Sequence, residues 1–336
     1  MRLRAALVLG FSLLASPSFA QTEPAPEPVA AAAEVPVETV LITGTRPGPG
    51  LWKLSKNDHV LWILGTYSPL PKNFVWRSKE VESVIAQSQL FLEAPRVEPD
   101  IGFFRLVTLV PSAIGAMNNP DNARLQDVLA PETYSRWQVL KQKYMGKNDD
   151  VEKQRPVFAA GALFAAALDK SGLENSRNVN ATISKLVDKA GLKRVKTLVK
   201  FEIKDPRGLL KKFKTAKIED TACLTTTLER LETDLEGMRT RANAWAMGDI
   251  ELLQTMTFPD QTKACQALAL AGDLAADEHD MLDVERRARA LWMSAAEKAI
   301  AGSPSTFAVL PMTRIVGPKG FVAELQARGY ELTPPR

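Results

Sequence analysis

Two strand–loop–helix units stand at opposite ends of the foldable part of this chain. That layout constrains the fold more than any other feature. The first unit is Val60–Gln89 and the second is Thr306–Arg328. In the first, "LWILGTYSPLP" (Leu61–Pro71) reads as an apolar strand, a glycine and a sharp polar turn. Leu51–Ser55 precedes it as a second strand, joined through the polar turn Lys56-Asn57-Asp58, so the two predict a hairpin. Ser78 is placed to cap a helix with Val81, Val84 and Ile85 inward and Glu80 and Glu82 in its first turn. "LFLEA" (Leu90–Ala94) follows as a buried strand with one acid, Glu93. In the second unit, "TFAVL" is a strand and "PMTRIVG" a loop. A helix follows with Phe321, Val322 and Leu325 inward and Gly329 at its end, and "YELT" closes as a strand.

The stretch between the units predicts mainly helices. Pro131 and Pro156 each suit a first helical turn. "PVFAAGALFAAALDKSG" is apolar nearly all round, which predicts a central helix. "ATISKLVDKAG" is amphipathic and stops at Gly191, and "RVKTLVKFEI" returns to a strand. Leu224, Leu228, Leu231, Leu235, Met238, Ala242 and Trp245 alternate in steps of four and three. That spacing predicts one long helix packed on its own domain, ended at Gly248-Asp249.

The N-terminus carries a targeting pattern. Arg2 and Arg4 precede the apolar run Ala5–Leu14, and Ser18-Phe19-Ala20 sets small residues before a cut after Ala20. The expectation is a cleaved signal peptide at 1–20 and an exported, periplasmic or secreted chain without a membrane span. An uncleaved anchor helix is the competing reading. Residues 21–48 are rich in Pro, Ala and Glu and predict an unfolded linker. Within it, "VETVLITGTR" (Val37–Arg46) reads equally as a strand or a linker segment. The folded domain is 49–336, with a helical insertion at about 100–300. Charge is nearly balanced, 43 basic against 39 acidic residues, so nothing points to nucleic acid. Export permits a disulfide, and Cys223 and Cys265 are the two cysteines. A bridge is expected over two buried thiols. It requires the chain to reverse at Gly248 and run back.

"LWKLSKNDHVLWILGTYSPLP", "WRSKEVESVIAQSQLFLEAP", "ANAWAMGDIELLQ" and "VGPKGFVAELQARGYELTP" occur in an order and spacing that resemble the TraB/GumN family, related to the Tiki proteins. The resemblance runs from Leu51 to Thr333. It implies an α/β domain with a central mixed sheet, flanking helices and a large helical insertion. It also implies a divalent metal site for hydrolysis, built from two Gly-x-x-His motifs and a glutamate. Here the first motif maps onto Gly65-Thr66-Tyr67-Ser68, keeping the glycine but not the histidine. The second maps onto Pro311-Met312-Thr313-Arg314, losing both. The glutamate maps onto Glu93. The family's acidic positions in the middle of the chain correspond to Asn180 and Val199.

Donor chemistry weighs this pattern. Neutral imidazole ligates borderline metals well, a serine hydroxyl poorly, and an arginine not at all. The remaining histidines are His59, in the hairpin, and His279, in the acidic stretch "AADEHDMLD". Asp277, Glu278 and Asp280 around His279 read as a solvated face or a weak hard-cation site. Ser68 has no Gly-x-Ser-x-Gly elbow, and so few histidines argue against a Ser-His-Asp triad. Two readings follow. One is a non-catalytic relative that holds a peptide or protein partner in the former cleft, with no cofactor. The other is an active metal-dependent hydrolase with altered ligands, using a divalent metal such as manganese. A third, a helical exported scaffold outside the family, is the weakest. If both units face one cleft, Ser68, Glu93 and Arg314 should converge there, with Arg314 pairing Glu93 in place of the lost cation. The alternative leaves Arg314 in solvent and Glu93 capped by backbone amides.

Overall fold

In the computed structural model, residues 48–72, 75–102, 108–111, 114–175, 177–203, 205–215, 220–255, 265 and 278–335 are described. They belong to one compact unit, Thr45–Arg336. The proposed signal peptide and the segment Val37–Arg46 lie outside the described residues. Among the described residues no helix is long and apolar enough to cross a membrane.

A six-stranded mixed sheet organises the unit. Strands β1 (Leu51–Lys56) and β2 (His59–Thr66) form the expected hairpin, with Lys56 opposite His59. Asn57 and Asp58 make its two-residue loop at φ 50° and 62°, left-handed values that Asn and Asp tolerate. Strand β9 (Ser305–Pro311) enters from the far end of the chain. It lies parallel to both β2 and β4 (Leu90–Leu92), between them. Strand β7 (Lys193–Val195) extends the parallel part beyond β4, and β10 (Glu331–Thr333) closes the other edge antiparallel to β1. The inner strands are apolar on both faces because helices cover both. Leu61, Ile63 and Leu64 of β2 and Phe307, Ala308 and Leu310 of β9 are all fully buried. The helix Glu278–Gly302 sends Trp292 into this core, edge-on to Phe321 at 4.9 Å.

The strand read over "RVKTLVKFEI" is in fact a pair, and "LFLEA" is followed by a further strand that the sequence reading did not include. After Leu92 the chain leaves the main sheet and re-forms as β5 (Arg96–Pro99). After Val195 it does the same and re-forms as β8 (Leu198–Phe201). β5 and β8 pair in parallel as a separate small sheet. Thr197 fastens the crossing, its hydroxyl donating to the Glu93 carbonyl at 3.0 Å.

The long helix expected over the four-three seam is two helices, Thr221–Thr233 and Leu235–Met247, meeting at Asp234. The seam spacing survives the break, but its residues serve different cores. Leu224, Leu228 and Leu231 join a helical core with Leu125, Trp137, Leu140 and Leu163. Met238 packs with Leu168 and Leu173. Ala242 and Trp245 join the sheet core. A Cβ at Gly237, in the first turn of the second helix, would stand 2.4 Å from the Asp234 carboxylate. Gly248 ends the second helix in the left-handed conformation, φ 70°. Cys223 and Cys265 are bonded, with Cα atoms 4.6 Å apart. Ser78 does not cap its helix through a backbone amide; its hydroxyl donates instead to the Glu82 carboxylate.

Candidate functional site

Three parallel strands, β2, β9 and β4, end side by side, and a cleft of about 460 Å³ opens at their carboxyl ends. Open α/β sheets bind ligands at this edge, where loops diverge and backbone groups are left unpaired. The polar lining consists of Thr66, Glu93, Arg96, Asn180, Ser184 and Arg194. Thr66 ends β2, and Glu93 and Arg96 flank the crossing from β4 to β5. Asn180 and Ser184 lie one turn apart on the helix Arg177–Lys189, so both face the cleft, with Asp188 continuing the stripe.

Of the four positions singled out from the sequence, Glu93 alone lines the cleft. Gly65 is buried just behind it. A Cβ at Gly65 would lie 2.3 Å from Met312 Sδ and 2.8 Å from Trp52 Cζ3, and both side chains are buried. The Gly65 carbonyl accepts from Trp245 Nε1 at 2.6 Å. The glycine therefore answers a packing demand whatever the fate of the histidine. Gly65→Ala is expected to destabilise the fold by about 2 kcal/mol, as overpacking does. Urea unfolding measures this, and an unchanged midpoint would refute it.

Ser68 is exposed and precedes Pro69 across a cis peptide bond. Its neighbour Tyr67 points inward, where the phenol accepts from Arg241 Nε at 3.0 Å. Burial pushes the Tyr67 pKa up, against the pull of Arg241. Arg314 sits on the short helix Met312–Ile315 and donates to the Pro95 carbonyl at 3.5 Å. Burial and the nearby Arg289 lower its pKa, while Glu285 acts the other way. Among the described residues no ion pair joins Arg314 to Glu93. The expected pair is replaced by two others. The Glu93 carboxylate lies 3.4 Å from Arg96 and 3.5 Å from Arg194. Arg194 is held in turn by Asp188 at 2.7 Å and by the Ser184 hydroxyl at 2.8 Å, and it lies over the Phe91 ring. The hydrogen bond to Asp188 raises its pKa, so its charge is fixed.

The other mapped positions part company. Asn180 lines the cleft, whereas Val199 is buried in β8 against Val284 and Ala288. His59 sits at the opposite end of β2, its ring against the Ile300 carbonyl. The side chains of Asp277 to Asp280, His279 among them, lie outside the described residues. Arg96 and Arg194 had been missed. The available signals were an arginine three residues after Glu93 and another in the strand that pairs with "LFLEA", where Arg194 stands opposite Phe91.

The lining offers a dication one carboxylate, two hydroxyls and an amide, with no imidazole or thiolate. No cluster of three or more His, Cys, Asp and Glu suited to a metal occurs among the described residues. Two guanidinium groups already flank the carboxylate. This donor set does not fit a catalytic divalent metal.

A family model described as TraB/PrgY/gumN matches residues 50–334, from the start of β1 to the end of β10. The chain belongs to the TraB/PrgY/gumN family. No curated protein and no solved structure matches it. The TraB/PrgY/gumN span contains all six strands of the main sheet and every residue of the cleft. The arginine-flanked Glu93 is thus part of the family domain itself.

Proposed function

We propose that this protein is an exported, non-catalytic relative of metal-dependent hydrolases that binds a peptide or protein partner in the cleft at the strand ends. One observation carries the reading: the Glu93 carboxylate lies between Arg96 and Arg194. A dication at Glu93 would meet two permanent positive charges within a few ångströms. Thr66, Asn180 and Ser184 offer both hydrogen-bond donors and acceptors, the groups a peptide backbone needs. The cleft volume falls in the range of preformed ligand sites.

Metal analysis of the purified protein tests the reading. The expected result is well under one equivalent of manganese, cobalt or zinc, and no rise in melting temperature when these are added. Close to one equivalent, lost in Glu93→Gln, would restore the alternative of an active hydrolase with altered ligands.

A further inference from the structure

The stretch Lys193–Phe201 forms one continuous border, made of β7, Lys196-Thr197 and β8. β7 is the last strand of the main sheet, and β8 pairs only with β5. The backbone along this border alternates without a break. The Lys193 amide donates to the Gln89 carbonyl, and the Val195, Thr197 and Phe201 carbonyls accept from the amides of Glu93, Arg96 and Asp100. The odd-numbered residues therefore turn their backbone groups toward β4 and β5. Arg194, Lys196, Leu198 and Lys200 turn theirs the other way. Among the described residues none of these outward N–H and C=O groups has a partner. The opposite side of the small sheet is less open. Pro99 has no N–H to offer there, and the Pro95 carbonyl takes Arg314.

The charge along this edge selects its occupant. Lys193–Phe201 holds Lys193, Arg194, Lys196 and Lys200 and no acid. Neighbouring acids already serve two of these cations. Asp188 meets Arg194 at 2.7 Å, with Glu93 on its other side, and Asp100 meets Lys200 at 3.2 Å. Lys193 and Lys196 are exposed and, among the described residues, have no ion pair. A second copy of this chain would set the same cations against themselves, which opposes pairing. An extended segment rich in Asp or Glu meets no such opposition, and its backbone supplies the missing partners.

We propose that the outer edge of β7 and β8 takes an extended acidic segment of a partner protein as an added strand. Its backbone pairs with Lys196, Leu198 and Lys200, and its carboxylates meet Lys193 and Lys196. Side chains alternate across a strand, so Lys193 and Lys196 reach opposite faces and a segment with acids on both faces fits. Arg194 also lines the strand-end cleft, but the edge site does not depend on what the cleft holds.

Fluorescence anisotropy with the full-length chain tests this. The probe is a labelled peptide of glutamate and valine with acids on both faces when extended. It should bind, and less tightly as salt rises, whereas its lysine counterpart should not. Lys193→Glu with Lys196→Glu should abolish the binding. Leu198→Pro removes one outward N–H while leaving every charge and the inward ladder in place. It should weaken binding about tenfold, the cost of one lost hydrogen bond. Thermal melts confirm that the variants fold. Hydrogen exchange on the wild type keeps the test open should Leu198→Pro misfold: the Lys196, Leu198 and Lys200 amides should exchange more slowly with the peptide bound. A glutamate peptide that does not bind overturns the proposal. So does full binding by Leu198→Pro, or exchange at those amides that the peptide leaves unchanged, because charge alone would then hold it.

Discussion

Serine at both Cys223 and Cys265 is expected to lower the stability of this protein by about 4 kcal/mol, as loop entropy predicts for a bridge of this span. The two cysteines are 42 residues apart and bonded. The bridge ties the helix Thr221–Thr233 to a point beyond Thr255. Without it the unfolded chain gains the freedom of that whole loop. The native contacts change little, because Cys223 sits in the helical core and serine nearly fills its volume. A drop of about 10 °C in melting temperature should accompany the loss. Guanidinium unfolding of the oxidised wild type against the double variant measures it. Equal midpoints would mean that the thiols are not joined in the purified protein.

Glu152→Ala should cost about 3 kcal/mol. Glu152 is 2% exposed and is the acceptor at the centre of the helical core. Trp137 Nε1 donates to it at 2.9 Å, and the Lys141 ammonium lies 2.8 Å away. Alanine leaves the indole N–H with no acceptor, fully buried, and removes the nearer counter-ion of Lys141. Losing one partner of such a buried pair costs about 3–5 kcal/mol. The lower figure applies because Asp149 still reaches Lys141 at 3.3 Å. Adding Lys141→Met to Glu152→Ala should recover part of the loss, since the stranded charge is then gone. A double variant that adds the two single costs without recovery would show that the pair does not act as a unit.

The parts of the fold that sequence could reach were those written locally. Apolar runs bounded by Asn57-Asp58 or by glycine marked the strands, and Glu93 stood out as the one acid in "LFLEA". The break at Asp234 was hidden because the four-three spacing continues across it while the cores it serves change. The crossings after Leu92 and Val195 were hidden for a related reason. A strand that moves from one sheet to another keeps its β-branched and aromatic residues, and only Pro95 hinted at an interruption. The partners of Glu93 depend on β4 lying next to β7 and on the helix Arg177–Lys189 standing over that edge. Both facts join residues about 100 positions apart. Arg314 was aimed wrongly because the chain after β9 coils at once into a short helix, which carries the side chain toward the Pro95 carbonyl.

The central place of β9 also governs the order of assembly. Thr66 and Leu310 meet across 244 residues of chain. β2 and β4 do not pair with each other; β9 alone joins them. Until that strand exists, a growing chain carries two apolar strand edges with no partner, the condition that invites association between chains. The helical core from Leu125 to Leu231 draws on nearer neighbours and can gather earlier. The keystone is therefore made after both of the strands that it joins. A chain cut before Ser305 loses far more than a terminus, because the halves of the sheet can no longer be joined, and it should aggregate rather than fold as a smaller domain.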